Sequence, residues 1–415
     1  MRGDRRVGSR APSRRTAALD SSCRRVVDHA DRTDERDQPP WGRMAAVGLV
    51  AAPALLASPV ALAAAGWVLA SGGGPLAVLL AVALLLVAVG SWPRRSRRLD
   101  PSATLTAPEA PATFAVLGRV GAQVGAPPLH RLELAPALGA GVHRSGPSRR
   151  PVLSVGAVAW AGLSEQGRVA LVAHEMAHLV RPELRLGRVT ARAEATLEEW
   201  RLIAGGEPPR RAAGADDARR FVTTVSAVLL APLRVVVVLW TRSLLRLQAP
   251  VTARGELLAD RVAARVAGGV AVYEVWDLGL GAATWETALT RGLSGHEDLT
   301  TSLRTAVAAV PAESLASRRR ASVEDGHRVD DDHPATDLRR RALEAVDLGD
   351  PLVVVVEAEA RASATEMADG LARALRDAAQ ALRYAAPGSS LGQRSADAVR
   401  RHTRARNELD TAGGA

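Results

Sequence analysis

Lysine is absent from this chain, and all 54 basic side chains are arginine, the bias expected of a GC-rich bacterial genome. Cysteine occurs once, at Cys23, which excludes an internal disulfide and suits a reducing compartment. Aromatic side chains are only 3% of the residues, so the net charge of +10 is not interleaved with the stacking platforms that nucleic-acid strands need. Residues 1–43 hold eleven arginines but also seven acids, the composition of a disordered leader rather than of a nucleic-acid surface. No nucleic-acid partner is expected. No internal repeat is visible.

Charge is missing altogether from residues 44–91, a run of 48 positions. That is too long for one buried core helix. Ser71-Gly72-Gly73-Gly74-Pro75 divides it into 44–70 and 76–91, each near the length that crosses a bilayer. A cleavable signal peptide would explain only the first, and its long charged leader argues against that. A soluble helical hairpin would need a polar face, which neither segment has. Two spans are therefore expected, with the bilayer as a partner. Arginines crowd the leader and recur as Arg94-Arg95-Ser96-Arg97-Arg98, whereas the intervening loop has none. Both ends, and everything after them, are expected in the cytoplasm, on the inner side of a bacterial plasma membrane.

What the rest of the chain does have is His174-Glu175-Met176-Ala177-His178. On a helix, positions i and i+4 share a face, so two imidazoles reach one metal ion. The intervening glutamate lies beside that ion, where it can deprotonate a bound water. Ser164 is a suitable helix cap, and Pro182 stops the helix near Arg181. One zinc ion per chain is expected, with Glu175 as general base. The subclass that continues to a glycine and a third histidine is excluded, because Arg181 and Leu184 occupy those positions.

The third ligand must then be an acid further along. Glu194, Glu198 and Glu199 have one known spacing, but an exposed charged helix explains them equally. Glu256 and Asp260, four residues apart between Thr252 as cap and Gly268-Gly269 as terminator, form a better pair. One can bind metal while the other accepts the free ring N–H of a ligand histidine.

These residues resemble a known family. Val172 to His178, Gly255 to Ala264, and the His-Pro-x-x-x-x-Arg pattern from His333 to Arg339 occur in the order seen in HtpX-like membrane zinc metalloproteases, which include the type-one CAAX prenyl proteases. Residues 151–158 are similar to that family's edge strand, although Gly139-Ala140-Gly141 stands where the family often has Asn-Ala. The resemblance spans about residues 100–345. It implies His174, His178 and Glu256 as zinc ligands, Glu175 as the base, Asp260 behind the ligands, and His333 or Arg339 near the substrate. The implied fold is α+β and mainly helical: a zincin-like (gluzincin) catalytic domain with a small sheet, preceded by a two-helix transmembrane hairpin.

Residues 221–241 are apolar enough to suggest a third span, interrupted by Pro232 and Arg234. A single crossing would separate His178 from Glu256, so a re-entrant, interfacial or packed segment is expected. The resemblance implies a helical hairpin here. Elsewhere the pattern predicts a helix within 100–130, a strand from 127–134, and a sheet over 131–158. Helices are expected over 259–290 and 297–310 and a solvated loop over 313–332. Residues 346–415 form an extension: an apolar run at 352–356, an alanine-rich helix to about 384, and a polar tail.

The expected activity is that of a membrane-anchored zinc endopeptidase acting on polypeptides, membrane proteins among them. An extended substrate would add as a strand to residues 151–156, with His333 and Arg339 as candidate donors to the developing oxyanion. A metalloprotease-type signal transducer would also need a sensory domain beyond the membrane, for which these residues leave no segment. A catalytically silent scaffold would have no use for Glu175.

Overall fold

The computed structural model describes residues 40–72, 74–92, 101–145, 148–204, 230–295, 297–324 and 336–383. Most of the leader, residues 221–229, His333 and the tail from 384 lie outside the described residues. The described part is mainly helical with one small mixed sheet. Helices α1 (Trp41–Ala70) and α2 (Pro75–Gly90) come first, then strand β1 (Ala103–Leu105) and helix α3 (Pro111–Val124). Strands β2 (Arg131–Ala135), β3 (Ala140–Ser145) and β4 (Arg150–Gly156) follow. Next are helices α4 (Ala157–Gly162), α5 (Glu165–Val180), α6 (Pro182–Ala204) and α7 (Ala231–Ala267). The chain continues through α8 (Gly269–Leu280), α9 (Ala282–Gly295), α10 (Leu299–Ala308), α11 (Ala312–Glu324), α12 (Thr336–Glu344) and α13 (Glu357–Arg383).

Two compact units result: Arg36–Arg98 with Pro182–Ala253, and Leu99–Arg181 with Arg254–Ala415. In the first, α1 is long and apolar enough to cross a membrane by length and composition, and α2 is a shorter apolar helix. Between them Gly72 takes a left-handed φ of 69°, which suits glycine, and Pro75 starts α2 where no backbone N–H is needed. Val47, Ala51 and Ala54 of α1 form a core with Ala193 and Leu197 of α6 and Val237 and Leu244 of α7. The small alanines allow close helix approach. Pro232 falls in the first turn of α7, where its missing N–H is harmless, so the helix starts there instead of breaking.

The second unit is built on a sheet of order β1-β2-β4-β3, with β2 and β4 parallel and the outer pairs antiparallel. Leu132 and Leu134 are fully buried on one face of β2, and in the central strand β4 Val152, Leu153 and Val155 are all fully buried, so that strand is covered on both faces. Three expectations are corrected here. Residues 151–156 are not an edge: β4 is paired on one side to β2 and on the other to β3, so the free edges are β1 and β3. Thr252 does not start a helix, because α7 runs unbroken through Pro250 to Ala267, where Gly268 at φ 91° ends it. Residues 312–324 are helical, because Arg319 pairs with Asp277 and Arg318 donates to the Leu280 carbonyl, both on α8.

The turn from β4 into α4 is tight. Gly156 donates to the Gly139 carbonyl at 2.7 Å, and a Cβ on Gly156 would overlap the Ala137 carbonyl. Since backbone cannot yield as a side chain does, Gly156→Ala is expected to destabilise the sheet unit by about 1–3 kcal/mol. Thermal unfolding of the detergent-purified variant checks this; an unchanged midpoint would show that the turn can relax.

Candidate metal centre

The helix carrying the histidines is fixed at its start by its own sequence. Ser164 adopts an extended conformation and its Oγ accepts from Gly167 N–H at 3.0 Å. Glu274 of α8 accepts from both the N–H and the hydroxyl of Ser164 at 2.5 Å. Gly167 leaves room for that carboxylate, which lies 2.8 Å from where a Cβ would stand. From Val169 to Ala173 every residue is buried, so α5 is a core helix and its register cannot slip. Arg181 ends it, as Pro182 requires.

One helical turn separates His174 from His178, and their Nε2 atoms are 3.3 Å apart. Glu256, on α7, brings Oε2 to 3.4 Å from His174 Nε2 and Oε1 to 3.7 Å from His178 Nε2. Metal–ligand bonds of 2.0–2.1 Å in tetrahedral geometry place neighbouring donor atoms about 3.3 Å apart. The three side chains therefore fit a metal ion, and together they form a group able to hold one. Glu175, next after His174 on α5, is half-buried, and its charge acts on Arg339.

Behind the donors sits Asp260, one turn after Glu256 on α7 and 1% exposed. Its Oδ1 lies 3.0 Å from His174 Nδ1. This hydrogen bond fixes the ring so that Nε2 faces Glu256 and His178. Arg339 of α12 grips the same carboxylate with two bonds of 2.6 and 2.5 Å. Its guanidinium also stacks 5.1 Å from the Trp276 ring centre, and is 4.0 Å from Glu256. Burial opposes the charged form of Asp260, but the charge and hydrogen bonds of Arg339, with those of His174, hold its carboxyl below the usual range. Burial likewise disfavours a charged His174, yet its bonds to Asp260 and Glu256 outweigh that and lift the imidazole to about 10. The two acids thus favour the protonated imidazole, and a cation bound there would compete with that proton.

The structure brings His174, Glu175, His178, Glu256, Asp260 and Arg339 into one unit. His333 lies outside the described residues. Arg339 turns its donor fork to Asp260, away from the role of an oxyanion donor. Glu198 pairs with Arg201 on its own helix, and Glu194 accepts from Gln248. His143, on β3, is 3.8 Å from Glu133. Trp276 was not legible as part of the site, because nothing in the sequence links an indole on α8 to an arginine on α12. Compared with protein families, curated proteins and solved structures, the chain matches none.

Two predictions follow from this geometry. Metal binding must displace the His174 proton, so affinity should rise with pH, by about tenfold per unit for each proton displaced, until pH approaches 10. Competition titrations with a chromophoric chelator at several pH values measure it, and a pH-independent affinity would contradict the protonated site. Glu256→Ala should lose the metal and Glu198→Ala keep it, while Asp260→Asn and Arg339→Gln weaken binding by roughly 10–100-fold. Metal content of the purified variants decides, and an emptied Glu198→Ala protein would refute the assignment.

Proposed function

We propose that this chain is a membrane-anchored zinc endopeptidase of the gluzincin type, related to the HtpX-like membrane metalloproteases. The observation that carries this reading is the His174–His178–Glu256 trio, with donor atoms 3.3–3.7 Å apart, beside the half-buried Glu175. Two imidazoles and one carboxylate are the protein donors of a catalytic zinc site, which keeps its fourth position for water or substrate. Zinc held there supplies a Lewis acid and lowers the pKa of water towards neutrality.

The remaining steps belong to side chains. Glu175 accepts the proton of the attacking water as its oxygen adds to the peptide carbonyl carbon, and delivers a proton to the departing amine nitrogen. Asp260 keeps Nδ1 of His174 as the donor, so that Nε2 stays free to ligate, and Arg339 holds Asp260 in place. His333 remains the candidate donor to the developing oxyanion. The extended substrate pairs with β3, the free edge that packs against α5, rather than with residues 151–156. In this reading α1 and α2 form a transmembrane hairpin in a bacterial plasma membrane. The arginines on both flanks keep the catalytic unit cytoplasmic, where it meets polypeptides and membrane proteins.

Glu175→Gln removes the base but no ligand. Casein cleavage by the zinc-loaded protein in detergent should fall by at least about 100-fold while one zinc per chain is retained. A variant that keeps both zinc and activity would exclude Glu175 as the base.

A further inference from the structure

Trp240 divides the first part of α7 into two chemistries. Before it, Leu233, Val235, Val236 and Leu239 are 48–58% exposed. After it, Arg242, Ser243 and Arg246 are the exposed residues. Between these faces, Val237 and Leu244 are buried against Val47, Ala51 and Ala54 of α1. The hydroxyls of Thr241 and Ser243 turn back to the Val237 and Leu239 carbonyls at 2.8 and 2.9 Å. Polar groups satisfied within their own helix in this way need no water.

Two of the five tryptophans of this unit, Trp200 and Trp240, mark a level. Trp240 Nε1 donates to the Val50 carbonyl of α1, and Trp200 Nε1 to Ser91 at the end of α2, each at 2.8 Å. Their rings lie 5.8 Å apart. Tryptophans gather where headgroups meet hydrocarbon, and arginines lie just outside them, as Arg43 does on α1. From Val50 to Ala70, α1 rises about 30 Å, which is the thickness of the hydrocarbon itself.

We propose that residues 231–239 of α7 insert into the cytoplasmic leaflet beside α1, with Leu233, Val235, Val236 and Leu239 facing lipid. Nine residues of helix reach about 13 Å, less than half the hydrocarbon thickness, so the segment enters the bilayer without crossing it. Arg242 and Arg246 then lie at the phosphates. The opposite direction would put those two arginines in hydrocarbon, which is costly. Arg234, the single charge on the inserted turns, has a stem long enough to direct its head towards the interface. A complete crossing would separate His178 from Glu256, which belong to one site. The inference rests on the reading of α1 as a membrane span.

Site-directed spin labelling of the full-length protein tests it, with Cys23→Ser as background and vesicles of phosphatidylethanolamine and phosphatidylglycerol. Nitroxides are placed at Val236→Cys, Leu239→Cys, Arg246→Cys and, on α1, Leu56→Cys. Positions 236 and 239 should match position 56: relaxation by oxygen and loss of relaxation by a water-soluble nickel chelate. Position 246 should respond to nickel. Nickel access at 236 and 239, with 56 in lipid, would overturn this inference alone. Protection of 236 and 239 from both reagents would overturn it in favour of a protein cover, such as a second copy. Nickel access at 56 would overturn both this inference and the span. Leu233→Cys and Val235→Cys, on the same face, replace any label site that fails to fold.

Discussion

Asp260 is the point on which the site depends. A carboxylate 1% exposed cannot remain ionised without cations and donors, and it receives both from helices that are distant in sequence. Arg339 comes from α12 and His174 from α5, while Asp260 itself stands on α7. Remove that charge and two consequences follow together. The guanidinium is left buried over Trp276 without its fork partner, and the imidazole loses the bond that decides which nitrogen faces the metal position.

The two acids of α7 are one helical turn apart and chemically divided by their neighbours. Glu256 points between the imidazole Nε2 atoms, whereas Asp260 meets Nδ1 and the guanidinium. Both are buried, so each needs a positive charge nearby. Asp260 has Arg339. Glu256 is 4.0 Å from Arg339 and 3.4 Å from His174 Nε2. A divalent cation between the three donors would supply Glu256 with positive charge, which is the electrostatic reason the trio could hold a metal ion.

How much of this the sequence disclosed varies from one residue to the next. The His174–His178 pair and its helix limits were legible because the helical period, a serine cap and a proline stop are all local signals. Glu256 and Asp260 could be found as a pair, but only contacts with α5 tell the donor from the group behind it. Residues 151–156 read as an edge strand because an apolar run says nothing about which strands flank it; pairing on both sides is a long-range fact. Thr252 looked like a cap because its hydroxyl suits one and the acids follow it, yet the helix runs on through Pro250 despite one missing backbone bond. Arg339 was found by its motif, and its partner was not, since 79 residues separate it from Asp260.

The central claim is that His174, His178 and Glu256 are the ligands of a resident zinc. X-ray absorption at the zinc edge, on the full-length protein purified in detergent, tests it most directly. The account predicts one zinc per chain with nitrogen and oxygen donors at about 2.0–2.1 Å and the multiple-scattering pattern of two imidazoles. A spectrum with sulfur donors, with a different imidazole number, or with no bound zinc at all would contradict it.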